Sequence, residues 1–185
     1  MSAPSTLILG IGNILWADEG FGVRVVEELH DRFAFPNSVT LMDGGTQGLY
    51  LVQHLQAADR LLVFDAIDYG LKPGTMKVVA GDEVPRFMGA KKMSLHQTGF
   101  QEVIAAADLL DALPDPMVLI GVQPEELEDY GGSLRPIVKE AMERAIVVAL
   151  EVLRAWGIEP VPRSTPPLEG LTLQSLTMEA YEARG

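Results

Sequence analysis

Acidic side chains stand at the ends of three apolar, strand-like runs, and a histidine stands before a helix-like run. Asp18 and Glu19 follow the first run, Asp43 ends the second and Asp65 ends the third, while His96 lies in a later loop. Carboxylates and imidazole together suit divalent cations such as zinc, nickel, manganese or iron, and do not choose among them. Glu19, Asp65 and His96 are therefore the candidate metal ligands, with coordination positions left for water or substrate.

These residues can meet only if the elements that carry them share one edge of a sheet. Short apolar runs alternate with amphipathic helical patterns, which predicts a single-domain, three-layer α/β fold with a mostly parallel twisted sheet of about five strands and helices on both faces. Ligands of such sheets bind beyond the carboxyl ends of the strands. The predicted strands are 6–11, 39–42, 60–68, 75–80 and 116–122, the predicted helices are 19–33, 49–55, 98–113 and 134–156, and 81–93 is predicted to be irregular.

Length and composition restrict the class of protein. The 185 residues suit one domain, and the net charge of −12 argues against a nucleic-acid-binding surface. The absence of cysteine excludes disulfides and thiolate sites. We expect a cytoplasmic protein without membrane insertion, because no signal peptide and no membrane-spanning apolar run is evident. The domain is predicted over 1–160, and the proline-rich segment 161–185 is predicted to be a flexible tail with a short helix near its end.

The glycine-containing first loop has two interpretations. Gly10 and Gly12 open a pattern typical of dinucleotide binding, but Leu15 stands at the third glycine position. Asp18 and Glu19 would repel a phosphate at the helix start, whereas glycines in any case permit a tight turn and close packing of helix on strand. The two acids could instead cap the helix.

The segment after the second strand suggests contact with a peptide. Asp43 precedes Gly44, Gly45 and Thr46, which could form a turn held by the aspartate or present main-chain groups to an extended peptide. These four residues are the candidate substrate-recognition residues.

Six short segments, in this order, resemble the hydrogenase maturation endopeptidases, which finish the large subunit of [NiFe] hydrogenases. The resemblance covers roughly residues 6–160, and the tail lies outside it. The matching segments are Gly10–Asn13 with Asp18–Arg24, Asp43–Thr46, Phe64–Asp68, Pro73–Thr75, Ser94–Gly99 and Gly121–Glu125.

The resemblance implies removal of a C-terminal extension from the nickel-loaded precursor of the large subunit. Nickel would arrive with the substrate and serve as the recognition signal, although another divalent cation could occupy the site in isolation. By position, Glu19, Asp65 and His96 would be the ligands, and Asp43 resembles a residue needed for processing or recognition. The family is described as aspartic-type, and the implied cleavage makes Asp43 and Asp65 the candidate catalytic bases toward a water that the cation polarises. The implied partners are the precursor and other hydrogenase assembly factors, and Asp18 with the acidic loop 125–129 could attract a basic precursor surface.

Three rival classes stay open from composition and spacing alone. They are a metal-dependent peptidase or amidase acting on other substrates, a non-enzymatic nickel or hydrogenase assembly chaperone, and a flavodoxin-like nucleotide or flavin binder. The chaperone would leave the mass of the precursor unchanged, and a flavin binder would be coloured. The six ordered segments favour the maturation endopeptidase.

Overall fold

The computed structural model describes residues 2–45, 47–89, 98–171 and 176–183. A five-stranded sheet has the order β3-β1-β4-β6-β5, in which β5 alone runs antiparallel, at one edge. The predicted α/β fold is confirmed. The strands are β1 Thr6–Ile11, β2 Phe33–Ala34, β3 Val39–Gly45, β4 Arg60–Ala66, β5 Met76–Ala80, β6 Met117–Val122 and β7 Val161–Pro162. The helices are α1 Phe21–Arg32, α2 Leu51–Gln56, α3 Glu83–Gly89, α4 Thr98–Leu109, α5 Pro136–Ala155 and α6 Met178–Glu182, with 3₁₀ helices at Ala17–Gly20 and Gly48–Tyr50.

Two apolar layers enclose the sheet. Alternate residues of β4 point to opposite faces, so Leu62 and Phe64 pack with α1 and α5, whereas Leu61 and Val63 pack with α3 and α4. Both faces are covered, which explains why this strand is a continuous apolar run rather than an alternating one. No helix in the described ranges is long and apolar enough to cross a membrane.

The strand order fixes where a ligand can bind. β1 lies between β3 and β4 in the sheet. The chain therefore passes from β1 to β3 on one side of it, and then crosses over to β4 on the other side. In sheets of this order the ligand crevice lies at the switch point, which here is at the carboxyl ends of β1 and β4. Close packing of helix on strand lies just beneath it, because a Cβ on Gly22 would stand 2.3 Å from the Phe64 carbonyl oxygen.

The segment predicted to be irregular contains a helix. α3 occupies Glu83–Gly89, so the prediction for 81–93 was wrong over this part. Val84 and Met88, one turn apart, are both buried against the sheet. Pro85 interrupts the apolar pattern in the sequence, but it lies in the first turn of α3. An N–H group there has no acceptor within the helix, so a proline costs no helical hydrogen bond.

The segment after residue 160 contacts the domain in its described parts. β7 pairs with β2, and the Arg24 Nη1 donates to the Leu176 carbonyl oxygen at 2.7 Å. Lys139 and Glu182 form an ion pair, and Met178 packs against the α1–α5 layer. The short helix predicted near the end is confirmed as α6. The domain boundary at residue 160 and the flexibility of 161–185 stay predictions.

Candidate functional site

Two buried acids occupy the switch point. Glu19 lies in the 3₁₀ helix Ala17–Gly20, which follows β1 and contacts β4, and Asp65 is the second-to-last residue of β4. Each is only 1% exposed. The structure therefore brings the element that carries Glu19 against the strand that carries Asp65, as the pattern of strand-ending acids predicted.

The glycine loop positions Glu19. Gly12 has φ +124°, and a Cβ there would lie 1.8 Å from the Glu19 carbonyl oxygen, so the loop folds back on itself so closely that only glycine fits. The Asn13 carboxamide oxygen accepts from the Leu15 N–H at 3.0 Å and closes the turn. The predicted tight turn is confirmed, and the main chain of Glu19 packs directly against it.

Asp18 has a structural role that neither sequence interpretation anticipated. It is fully buried, and it makes no cap at the start of α1. Its Oδ2 accepts from the N–H groups of Glu125 and Glu126 at 2.9 Å each, and its Oδ1 accepts from the Arg135 N–H at 2.7 Å. Asp18 therefore fixes the loop between β6 and α5, and the attraction of a basic partner by Asp18 and this loop stays a prediction.

Asp43 and Asp65 face opposite sides of the sheet. Gly10 pairs in register with Asp43 on one side and with Phe64 on the other, and residues in register on parallel strands point to the same face. Phe64 belongs to the α1–α5 layer, so Asp43 faces that layer. Asp65 is the next residue of β4 and faces the other one. The two carboxyls thus do not form a pair that shares one proton.

The surroundings of Asp43 disfavour its charged form. Burial is the main cause that raises the pKa of its carboxyl, and the negative charge of Glu27 adds to it. The Gly45 N–H and the Arg24 guanidinium lower the pKa less than burial raises it. Asp43 consequently keeps its proton to a higher pH than an exposed aspartate does.

This raised pKa predicts how stability varies with pH in an Asp43→Asn variant. The stabilisation from the tightly bound proton is full below the unfolded pKa, about 3.9, and is lost as pH rises through the folded pKa. The asparagine has no such proton. We therefore expect the free energy of unfolding of Asp43→Asn to rise relative to that of the natural protein across this window. Denaturant titrations from about pH 3 to about pH 7 measure it.

Asp59→Asn is the matched control with the opposite sign. Hydrogen bonds from the Ser5 N–H and hydroxyl lower the pKa of Asp59, so its stabilisation is present above the unfolded pKa and is lost as pH falls through the folded pKa. We expect this variant to lose stability relative to the natural protein as pH rises. Parallel curves for the natural protein and Asp43→Asn would contradict the assignment of a raised pKa.

The glycines after Asp43 allow β3 to approach β1. Gly44 is buried, and a Cβ there would lie 2.9 Å from the Gly10 carbonyl oxygen; Gly45 has φ +37°, in the left-handed region. The Gln47 side-chain amide donates to the Asp43 carbonyl oxygen at 3.0 Å. These contacts explain the glycine pair by packing, and its role in substrate recognition stays a prediction. Thr46, the fourth predicted recognition residue, lies outside the described residues.

Sequence reasoning missed a glutamine and a tyrosine beside Asp65. The buried Gln123 Oε1 accepts from the Tyr69 N–H at 2.9 Å, and its Nε2 donates to Asp68 Oδ1 at 3.1 Å. Burial, followed by the negative charge of Asp65, raises the pKa of the Tyr69 phenol, whose hydroxyl donates to the Phe87 carbonyl oxygen. A polar residue directly after a buried strand, such as Gln123 after β6, is the signal that would have found this network.

The predicted metal set is described only in part. His96 lies outside the described residues. Within the ranges that the structure does describe, no three acidic or histidine side chains are arranged to hold a metal ion. The set of Glu19, Asp65 and His96 therefore stays a prediction.

The chain is similar to known proteins over most of its length. A family model described as hydrogenase maturation protease matches residues 23–152. A hydrogenase expression/formation protein of Azotobacter vinelandii, HoxM, is 62% identical over 183 residues, which are 99% of this chain and 88% of that protein. The hydrogenase 2 maturation protease of Escherichia coli is 40% identical over 158 residues, 85% of this chain and 95% of that protein.

Solved structures agree with these relatives. The hydrogenase maturating endopeptidase HybD from Escherichia coli superposes with a TM-score of 0.80 at 40% identity, covering 86% of this chain and 98% of its own. The [NiFe] hydrogenase maturation protease HybD from Thermococcus kodakarensis gives a TM-score of 0.63 at 26% identity, over 80% of this chain and 98% of its own. The switch-point fold, the buried acids and the family match together lead to one conclusion: the chain belongs to the hydrogenase maturation proteases, a family of endopeptidases.

Proposed function

We propose that this protein removes the C-terminal extension of a nickel-loaded [NiFe]-hydrogenase large-subunit precursor, and that the nickel is the signal it recognises. The observation that carries the proposal is the pair of acids, Glu19 and Asp65, buried on contacting elements at the switch point. A cation binds carboxyl groups in their deprotonated form, so two acids gathered there favour a cation-bearing substrate over an anionic one. Membership of the family supplies the reaction class, since its named relatives are endopeptidases of hydrogenase maturation.

The chemistry that we propose is metal-assisted. Glu19, Asp65 and His96 would contact the nickel that the precursor brings, because carboxylate and imidazole can join a nickel ion that other ligands already hold. Asp65 would then act as the base toward a water near the scissile bond. A shared-proton pair of Asp43 and Asp65 is disfavoured, because the two side chains face opposite layers. Asp43 is instead assigned to recognition of the segment around the cleavage point.

The intact mass of a matched large-subunit precursor, before and after incubation with this protein, tests the proposal. We expect a C-terminal segment to be lost from the nickel-loaded precursor and not from the nickel-free one. Cleavage of both forms would remove nickel from the recognition step and favour a general peptidase. An unchanged mass of both forms, with complex formation, would favour an assembly chaperone.

A further inference from the structure

Large apolar side chains are exposed on both sides of the crevice. Leu49 is 62% and Tyr50 is 76% exposed on the 3₁₀ helix that follows β3, and Tyr130 is 67% exposed on the loop that follows β6. These elements follow parallel strands, so they lie at the same sheet edge as Glu19 and Asp65. Large exposed apolar groups at the same sheet edge as a buried polar site mark a surface that binds another protein.

The Tyr130 side of the crevice is held rigidly. Trp16 and Tyr130 form an isolated β-bridge, and their rings meet edge to face with centroids 5.0 Å apart. The Gly131 N–H donates to the Leu15 carbonyl oxygen at 2.8 Å, and Asp18 fixes the same loop from beneath. A side chain presented on a rigid loop loses little entropy when it binds, and aromatic residues of this kind dominate binding energy at interfaces.

The opposite side of the crevice is anchored through a buried neighbour. The 3₁₀ helix Gly48–Tyr50 packs against α4, and Leu51, the next residue, is only 2% exposed. Leu49 and Tyr50 are thus held outward while the chain around them is fixed to the core. The two sides of the crevice belong to opposite helix layers, so an occupant that touches both must bridge the crevice.

Charge indicates what kind of surface fits. Glu125 and Glu128 are exposed on the loop that presents Tyr130, and the whole chain carries a net charge of −12. The complementary partner therefore presents apolar side chains bordered by lysine or arginine. A folded protein that carries such a surface can contact both sides at once while its C-terminal segment enters between them.

We propose that an apolar rim, consisting of Trp16, Leu49, Tyr50 and Tyr130, docks the folded body of the substrate precursor and so aims its C-terminal segment at the buried acids. The inference rests on the proposed function for the identity of the partner. It adds that recognition involves a folded surface of apolar and basic character beside the metal-bearing segment. The rim residues touch this surface and not the reacting atoms, so they should govern binding more than the chemical step.

Serine substitutions in the rim test this proposal. We expect Leu49→Ser with Tyr50→Ser, and separately Tyr130→Ser, each to raise the Kd for the nickel-loaded precursor by about tenfold or more. The value of kcat at saturating precursor should stay close to that of the natural protein. Biolayer interferometry gives the Kd independently of cleavage, and intact mass against time gives KM and kcat. Lower salt should speed association, because the rim is bordered by acids.

The control removes equally exposed apolar surface elsewhere. Leu109 and Leu110, 88% and 58% exposed at the end of α4, lie toward the edge where β6 begins. Leu109→Ser with Leu110→Ser should leave Kd and KM unchanged. Rim variants that bind the precursor as tightly as the natural protein would overturn the proposal, as would equal losses in the control. If the natural protein binds the precursor without shortening it, the proposed function fails, and the same Kd comparison still decides whether the rim docks it.

Discussion

Replacing Asp65 by asparagine is expected to lower kcat/KM for precursor processing by about 10²–10⁴-fold, the range that a positioned acid or base contributes. Asparagine has nearly the same shape, but it carries no negative charge and cannot accept a proton from water. The loss is severe because Asp65 is buried at the end of β4, where bulk water cannot easily take over as the proton acceptor. Intact mass of the nickel-loaded precursor against time measures the rate.

Asp68→Asn is the matched control for this substitution. Asp68 lies three residues further on, and its Oδ1 accepts from the Gly70 N–H and the Gln123 side-chain amide. An asparagine oxygen can keep both bonds, so processing should change little. Near-normal processing by Asp65→Asn would remove this residue from the chemical step.

Asp18→Ala should destabilise the fold by about 3 kcal/mol or more, since three hydrogen bonds to one buried carboxylate are lost and each such bond contributes about 1.5–3 kcal/mol. The N–H groups of Glu125, Glu126 and Arg135 would all lose the carboxylate that they now share. The loop that presents Tyr130 would loosen, so binding of the precursor should also weaken. Urea denaturation at neutral pH measures the change in the free energy of unfolding.

Asp129→Ala separates this effect from the general loss of an acid in the same loop. Asp129 pairs with Arg135 at 2.8 Å, but both side chains are substantially exposed, and such surface pairs contribute about 0–1 kcal/mol. Its substitution should therefore be mild. Equal losses for Asp18→Ala and Asp129→Ala would show that the buried carboxylate does not hold the loop. Asp18→Asn should fall between the two, because one carboxamide oxygen can still accept.

Some of this site could be predicted from local sequence. The run Leu61–Phe64 is apolar at every position, which favours a strand buried on both faces, and Asp65 directly after it then falls at the carboxyl edge. The glycines of the first loop predicted a tight turn, because their conformational freedom is a local property. The helix at Glu83–Gly89 was not predicted, because its apolar pattern is short and contains a proline. Burial of its apolar residues against the sheet stabilises this helix, and a local pattern does not show such burial.

The sequence by itself determined the α/β class, the acids at strand ends and the family. These features depend on neighbouring residues, because the apolar period of a strand or helix and the residues of a turn are local. Only the tertiary structure decided what each acid does. Asp18 and Glu19 are adjacent and chemically alike, yet only the tertiary structure shows that Asp18 accepts hydrogen bonds from N–H groups more than 100 positions away. Sheet order and register likewise turn Asp43 away from Asp65. Such assignments depend on which distant segments pack together, and no local pattern encodes that geometry.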